Sequence, residues 1–537
     1  MTGGQPPRHI GGDRRTVPLS QFERKERMNR TGKSARNFLF TLLSNAAAVL
    51  IGLAAQKIFI RILGLEYSGL NGLFSNVITM LGIADLGIGE AVVFHMYKPL
   101  EEDDRETVRS LMAFYRKAFR IVALVIAAVG VALIPVLPYI AKTENPAIHL
   151  TPVYLIFLSD VVFSYLLSYK RSVLYADQKN YIVNIVHMAY LILMNTGQLL
   201  MVLLTHNYYL YLLVKLFFRI MENVVIIRVV DKSYPYLASA EGARPLKPEI
   251  LADIKKKVGA LFFHKVGTFC VNGTDNILIS AFLGLTTAGL YSNYFLVIDA
   301  VTKLFGPAVS ALTPSVGHLL VEADSRRLFG VFRRIRFMNF WIACFAATSL
   351  LTMVQPFVSL WFGPQYLLDV TVVMLLAFQL FMTLMRGSYN AFQDAAGIFY
   401  ENRFVPLAES ALNLISSLVL LRVWGLAGVF MGTIISGTAL WCFSYPRFVY
   451  RKLFERGYGE YARETASYIL LFMAVAGSTF YLSGRLAALC GGSAFIQFAA
   501  DAALCLIYPN AVLALAFMRS DLLRYFAGLV RGRLKKG

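Results

Sequence analysis

Charge is what this 537-residue chain has least of. Only 16% of its residues are Asp, Glu, Lys or Arg, against about a quarter in soluble domains. With 57% hydrophobic residues and a mean hydropathy of +0.58, too few ionisable groups remain to coat a 59.9 kDa soluble globule. Cysteine is scarce as well. Cys270, Cys344, Cys442, Cys490 and Cys505 are scattered through apolar stretches with no CxxC pair, which argues against a disulfide framework or a thiolate metal centre. The sequence has no Gly-x4-Gly-Lys-Ser/Thr stretch to cradle ATP phosphates, and no HExxH motif or His/Cys/carboxylate cluster to ligate a metal.

What is present is apolar sequence in long runs. Stretches of about 20 apolar residues, each long enough to cross a bilayer, recur from Phe38 almost to the C-terminus. About fourteen are predicted, so the fold class is an all-α polytopic membrane protein. The net charge of +20 sits between and beyond these runs, where membrane orientation explains it without nucleic acid. Residues 1–36 hold nine Lys/Arg and three Asp/Glu, and residues 519–537 hold six and one. Both tails are therefore expected in the cytoplasm, the first as a retained, poorly ordered tail without a signal peptide. The same rule puts Lys255-Lys256-Lys257, Arg333-Arg334-Ile335-Arg336 and Arg447 to Lys452 inside. External connections are then no longer than about a dozen residues. A membrane enzyme that polymerises sugars outside would usually need a larger loop for its acceptor. The expected organisation is an N-lobe over 37–230, a cytoplasmic linker over 231–258, a C-lobe over 259–450, and two further spans within 451–518.

The halves carry an internal repeat. Leu63-Gly64-Leu65-Glu66-Tyr67-Ser68-Gly69-Leu70 returns as Leu283-Gly284-Leu285-Thr286-Thr287-Ala288-Gly289-Leu290, with five of eight positions identical at an offset of 220. Glu102 and Asp104 match Glu322 and Asp324 at the same offset, and Pro135 corresponds to Pro356 one residue further on. Each pair falls in the same topological slot, six spans apart. Two parallel six-helix bundles related by an axis along the membrane normal, with a solute path between them, is a transporter architecture.

Charges inside the runs are the candidate functional residues, because each costs roughly 2.5–3.5 kcal/mol at bilayer depth unless paired or wet. Span 6 carries Lys215, Arg219 and Glu222 on one helical stripe. Arg219–Glu222 satisfies itself as a pair and leaves Lys215 free, which makes this stripe the best anion-binding candidate. Asp85 and Glu90 lie in span 2 beside Gly87 and Gly89, and close helix packing is the alternative reading there. Asp299 and Lys303 in span 8 are spaced for an intrahelical ion pair, whereas His264 and Lys265 near the start of span 7 suit interfacial snorkelling. Asp275 is deeper in that span. Asp160 in span 4 and Arg386 in span 10 read as single central charges, Arg61 as an interfacial anchor, and His187 as a proton carrier or the partner of a neighbour.

The Leu63-Gly64-Leu65-x3-Gly69-Leu70 segment, Ala84-Asp85-Leu86-Gly87-Ile88-Gly89, and Thr274-Asp275-Asn276-Ile277 leading to Gly289-Leu290-Tyr291-Ser292 together resemble the polysaccharide flippases of the MOP superfamily, over roughly residues 36–450. The resemblance implies two pseudo-symmetric six-helix bundles around a V-shaped cavity, plus two C-terminal helices, working by alternating access. For this branch it implies transfer of undecaprenyl-diphosphate-linked oligosaccharide across the bacterial cytoplasmic membrane, for capsule, exopolysaccharide or O-antigen-type synthesis. Membrane lipids and the glycan-assembly machinery would be its partners. Lys215, Arg219, Arg386, Arg61, Lys303 and His264 would then offer diphosphate or sugar contacts. Asp85, Glu90, Asp275, Asp299, Asp160 and Glu222 would be the candidates for coupling to protons or sodium, with no other cofactor. The alternatives are a related exporter of drugs or metabolites, a flippase for the peptidoglycan precursor lipid II, a membrane glycosyltransferase or polymerase, and a non-transporting scaffold.

Overall fold

The structure is a computed structural model that describes residues 49–82, 87–143, 145–237, 244–322, 324–398, 401–402, 404–489 and 493–534, with the backbone alone at 256–257, 260–272, 307–308, 310, 314, 321–322, 489 and 529–534. Among the described residues every regular element is helical. The first half contains α1 (49–63), α2 (Leu65–Leu81), α3 (Ile88–Glu101) and α4 (Arg105–Ala132), which a 3-10 turn joins to α5 (Leu137–Ile140). It continues with α6 (Leu150–Ser168), α7 (Arg171–Ala176), α8 (Asn180–Thr205) and α9 (Tyr208–Ser233). The second half holds α10 (Pro248–Ser310), α11 (Thr313–Glu322), α12 (Ser325–Trp361), α13 (Val370–Ala395), α14 (Val405–Tyr445) and α15 (Lys452–Phe454). The chain closes with α16 (Tyr458–Leu489), α17 (Ala494–Ala516) and α18 (Asp521–Leu534).

Among the described residues, 9 helical stretches are long and apolar enough to cross a membrane. Two of them are double. Gly284 breaks α10 with φ 89° and Gly425 breaks α14 with φ 54°, so each long helix turns back as two spans. The remaining slots are filled by α1, by α2 with α3, and by α9, whose Lys215, Arg219 and Glu222 lower its hydropathy. Apolar side chains that soluble proteins hide are on the outside here: Leu124, Leu204, Ile507 and Leu515 are each about 70% exposed. That surface suits lipid.

The sequence repeat is a repeat of backbone geometry. Gly64 has φ 100° and ψ 173°, and Gly284 has φ 89° and ψ 165°. Both lie in a region that only glycine occupies at little cost. Five residues on, Gly69 and Gly289 meet. A Cβ on Gly69 would lie 2.0 Å from the Leu285 carbonyl oxygen, and one on Gly289 would lie 2.2 Å from that of Leu65. The contact is reciprocal at the offset of 220, as an approximate two-fold axis between α2 and the second arm of α10 demands. The capping repeats too. Asp104 accepts from the Thr107 amide at 3.0 Å to start α4, and Asp324 accepts from that of Arg327 at 2.9 Å to start α12. Pro135 lies in the 3-10 turn after α4 whereas Pro356 stays inside α12, so the late prolines share a slot but not a conformation.

Around this crossing Gln56 donates to Ser68 (2.7 Å) and Asn293 (3.3 Å), and Trp361 donates to the Leu53 carbonyl (3.0 Å). At the opposite end of these helices, His95 of α3 meets Asp253 of α10 at 3.0 Å. The largest apolar core runs from Leu278 to Leu513 and includes the last two long helices. Phe381 of α13 stacks on Phe472 of α16 with centroids 4.1 Å apart, and Trp341 of α12 donates to Asn510 of α17 at 2.7 Å.

Gly289→Leu should therefore lower the melting temperature of the detergent-purified protein. The cost should exceed the roughly 1–3 kcal/mol of ordinary overpacking, because backbone rather than a flexible side chain must move. Gly306→Ala, where nothing among the described residues lies within 4 Å of the added carbon, should melt at or slightly above the parent, since alanine favours a helix over glycine.

Candidate functional site

Among the described residues, three of the polar clusters in the interior hold charges that the sequence singles out. The first joins the fourth, fifth and sixth spans of the first bundle. Their helices put Asp160 (α6), His187 and Tyr190 (α8), and Lys215, Arg219 and Glu222 (α9) on facing stripes, with Arg171 of α7 at one edge. Lys215 Nζ lies 3.5 Å from one Asp160 oxygen and Arg219 Nε 3.6 Å from the other. Glu222, whose side chain is fully buried, accepts from Arg219 at 3.1 Å and meets Arg171 at 3.2 Å and His187 at 2.9 Å. The Lys215 ammonium sits 4.8 Å from the Phe157 ring and the Arg219 guanidinium 4.7 Å from that of Tyr190. Apart from His187, three bases face two acids, which leaves one positive charge in excess. The Asp160 contacts are long for hydrogen bonds, so Lys215 is the most loosely held base of the set.

The second cluster occupies the same slots of the second bundle. Arg386 of α13 grips Glu409 of α14 through two bonds, of 2.6 and 2.7 Å. Its Nε donates to the Tyr445 hydroxyl at 3.2 Å, which donates to Asn390 at 2.9 Å. The pair lines a cavity of about 340 Å³ with Gln379, Thr383, Asn390 and Ser444. The Arg386–Glu409 pair cancels its own charge, and Asp394 lines the same cavity.

The third cluster lies between α10 and the two arms of α14. Thr433 donates to Asp275 at 3.3 Å and accepts from Asn413 at 2.9 Å, and Asn413 in turn accepts from Thr274 at 3.3 Å. Ser417 donates to the Val429 carbonyl at 3.0 Å. Asp275, Asn413, Ser417 and Thr433 are all buried, and among the described residues no base pairs with Asp275. The neighbouring Asn276 Oδ1 and Ser280 hydroxyl are buried without a hydrogen-bond partner among the described residues. Thr433 also lines the 340 Å³ cavity, so the carboxylate is one side chain removed from it.

These placements change several sequence expectations. Lys215 is not free, since Asp160 faces it. Asp160 and Arg386 are not single charges, because each has an opposite charge on a neighbouring helix. Asp299 and Lys303 form the intrahelical pair at 2.6 Å, with Lys303 two-thirds exposed. Arg61 and Glu90 are exposed, outside all three clusters. Asp85 and the side chains of His264 and Lys265 lie outside the described residues. Sequence reading missed Arg171, Glu409, Asn413 and Thr433. A signal existed for two of them: Glu409, Asn413 and Ser417 are spaced four apart in an apolar span, which puts a polar stripe on one helix face.

The sequence matches the profile of a family described as "Polysaccharide biosynthesis protein" over residues 58–371. No match was found among curated proteins. By structure the chain is similar to the lipid II flippase MurJ in an inward closed conformation, at a TM-score of 0.67 and 12% identity, covering 90% of this chain and 99% of that one. It is also similar to a multidrug resistance MATE family transporter of the MOP superfamily in an inward-facing conformation, at 0.59 and 15%, covering 74% and 95%. A MATE transporter from Vibrio cholerae matches at 0.50 and 14%, covering 76% and 96%. These likenesses establish the fold: two pseudo-symmetric six-helix bundles with two helices added.

Glu409→Gln should destabilise the purified protein by about 1–3 kcal/mol, because it removes the charge partner of the half-buried Arg386 guanidinium. The double variant Arg386→Met/Glu409→Leu should recover most of that loss. Melting curves in detergent check both, and a single variant as stable as the parent would show that the pair holds nothing together.

Proposed function

Because the chain belongs to this polysaccharide biosynthesis protein family, we propose that it is a flippase, which carries an anionic lipid-linked oligosaccharide across the membrane by alternating access and makes or breaks no covalent bond. The observation that carries this reading is the excess positive charge among Lys215, Arg219 and Arg171, held at membrane depth in a transporter fold. An exporter of cationic drugs would be served by the opposite sign. A diphosphate supplies several acceptor oxygens for charge-assisted bonds, and Lys215, held only by a long contact to Asp160, is the base most easily turned toward it. Arg219 keeps both carboxylates in place while Lys215 moves. Undecaprenyl diphosphate bearing a repeat unit has this chemistry, and so does a peptidoglycan precursor.

In this reading the sugar head enters between the bundles and its lipid tail stays in the bilayer. The Gly69–Gly289 crossing is the pivot. His95 and Asp253 meet at the end that the charge pattern assigns to the cytoplasm, and their separation opens the path there. The bacterial cytoplasmic membrane is the expected location, with both tails inside. Asp275, with the oxygens of Thr433, Asn413 and the Val429 carbonyl close by, is the coupling site for a proton or a sodium ion. Loading it neutralises a buried carboxylate that has no base against it among the described residues. An ion that binds one conformation more tightly than the other shifts the equilibrium by that difference.

Reconstituted into liposomes with a fluorescent undecaprenyl-diphosphate oligosaccharide, the protein should expose the lipid to an impermeant quencher. Lys215→Ala should slow exposure by roughly 10-fold or more, the worth of one charge-assisted bond, while leaving melting unchanged. Asp275→Asn should retain lipid binding but make the rate independent of proton and sodium gradients. Movement of a cationic dye without exposure of any diphosphate lipid would replace the flippase with an exporter.

A further inference from the structure

Arg336 of α12 is 1% exposed and belongs to none of the three clusters. Its Nη1 donates to the Tyr450 hydroxyl and, at 2.8 Å, to Glu464 of α16. Its Nε and Nη2 meet no acceptor among the described residues. Tyr468 lies 4.8 Å from the guanidinium carbon, and a ring face there attracts the cation without accepting its in-plane N–H bonds. Leaving such donors bare inside a protein is costly, and a guanidinium keeps its charge there.

Arg336 also lines a cavity of about 300 Å³ between α12, α16 and the turn from α17 into α18. Arg333, Glu464, Ser467, Tyr468 and Ser520 complete the polar part of its wall. Arg333 Nε is 3.8 Å from Glu464, so two bases face one acid, and two hydroxyls stand beside them. An apolar occupant would leave the guanidinium donors bare, and a cation would meet a net positive wall. An anion with several acceptor oxygens would satisfy Nε, Nη2 and the Ser520 hydroxyl together, while the Ser467 hydroxyl already donates to the Glu464 carbonyl at 2.8 Å. α18 begins beside the cavity and is held to α12 by Arg334 over Tyr525 (4.1 Å) and by Phe337 against Phe526 (5.9 Å). It is amphipathic and carries Arg524, Arg531 and Arg533. Such a helix suits the headgroup layer.

We propose that this cavity is a phosphate-binding site, separate from the transport path, which takes the phosphate of an anionic phospholipid headgroup or free phosphate, with Arg336 and Arg333 as the cationic contacts. Bound phosphate would bridge the second bundle to the two added spans, since Arg336 and Arg333 come from the former and Ser467 and Ser520 from beside the latter.

The test is a melting titration of the full-length protein in detergent. Phosphatidylglycerol, diacylglycerol without phosphate, and sodium phosphate against sodium chloride at equal ionic strength are the probes. The melting temperature should rise with a phosphate-bearing probe and not with diacylglycerol or chloride. Half-saturation should move to roughly 10-fold higher concentration in Arg333→Gln and in Arg336→Gln, as expected for one lost charge-assisted bond. Ser467→Phe, which fills the cavity from an exposed position, should abolish the rise. A response to phosphatidylglycerol alone identifies a headgroup, and an equal response to sodium phosphate identifies the free ion. If Arg336→Gln does not fold, the other two variants decide. Unchanged titrations in both, or no rise with either phosphate probe in the parent, would overturn the site.

Discussion

The contact on which the rest of the molecule depends is the approach of two backbones at Gly69 and Gly289. No side chain separates them, so α2 and the second arm of α10 cross with the carbonyls of Leu65 and Leu285 against the opposing glycines. Such closeness in a membrane comes from small residues, because lipid gives helices no hydrophobic reason to associate. The crossing positions each bundle relative to the other. It also leaves few atoms in the joint, which suits a contact about which two rigid bodies rock.

Electrostatics then divides the bundles into unlike partners. The same three slots of each bundle hold a polar cluster, but the first keeps one base in excess, whereas in the second a bidentate pair shares its cavity with Asp394. A desolvated ion pair is weak evidence for stability, so the Arg386–Glu409 grip is read as fixing helix register around a polar cavity. The unbalanced cluster is where a negatively charged group has something to gain. Asp275 pairs with no base among the described residues and reaches the second network only through Thr433, which lines the same cavity as Arg386 and Glu409.

Legibility differed by range. The helix breaks at Gly64 and Gly284, the caps at Asp104 and Asp324 and the 220-residue offset could all be read along the chain, because each is set by residues within one turn. The charge pairings could not. Asp160 and Lys215 lie 55 positions apart in the chain, Arg336 and Glu464 lie 128 apart, and nothing local to either member names the other. Lys215 consequently looked free and Arg386 looked solitary. Glu409 escaped notice although Asn413 and Ser417 mark its polar stripe.

The amino-acid sequence by itself determined that the protein lives in a membrane, that it is built of helices, and that its halves repeat. Hydrophobic length, glycine at forced backbone angles and the scarcity of charge act locally and leave little choice. Only the tertiary structure decided which charges cancel, which stay in excess, and where an arginine keeps donors to spare. Coulomb energy in a low-dielectric interior depends on distances between helices far apart in the chain, and those distances exist only once the bundles have packed.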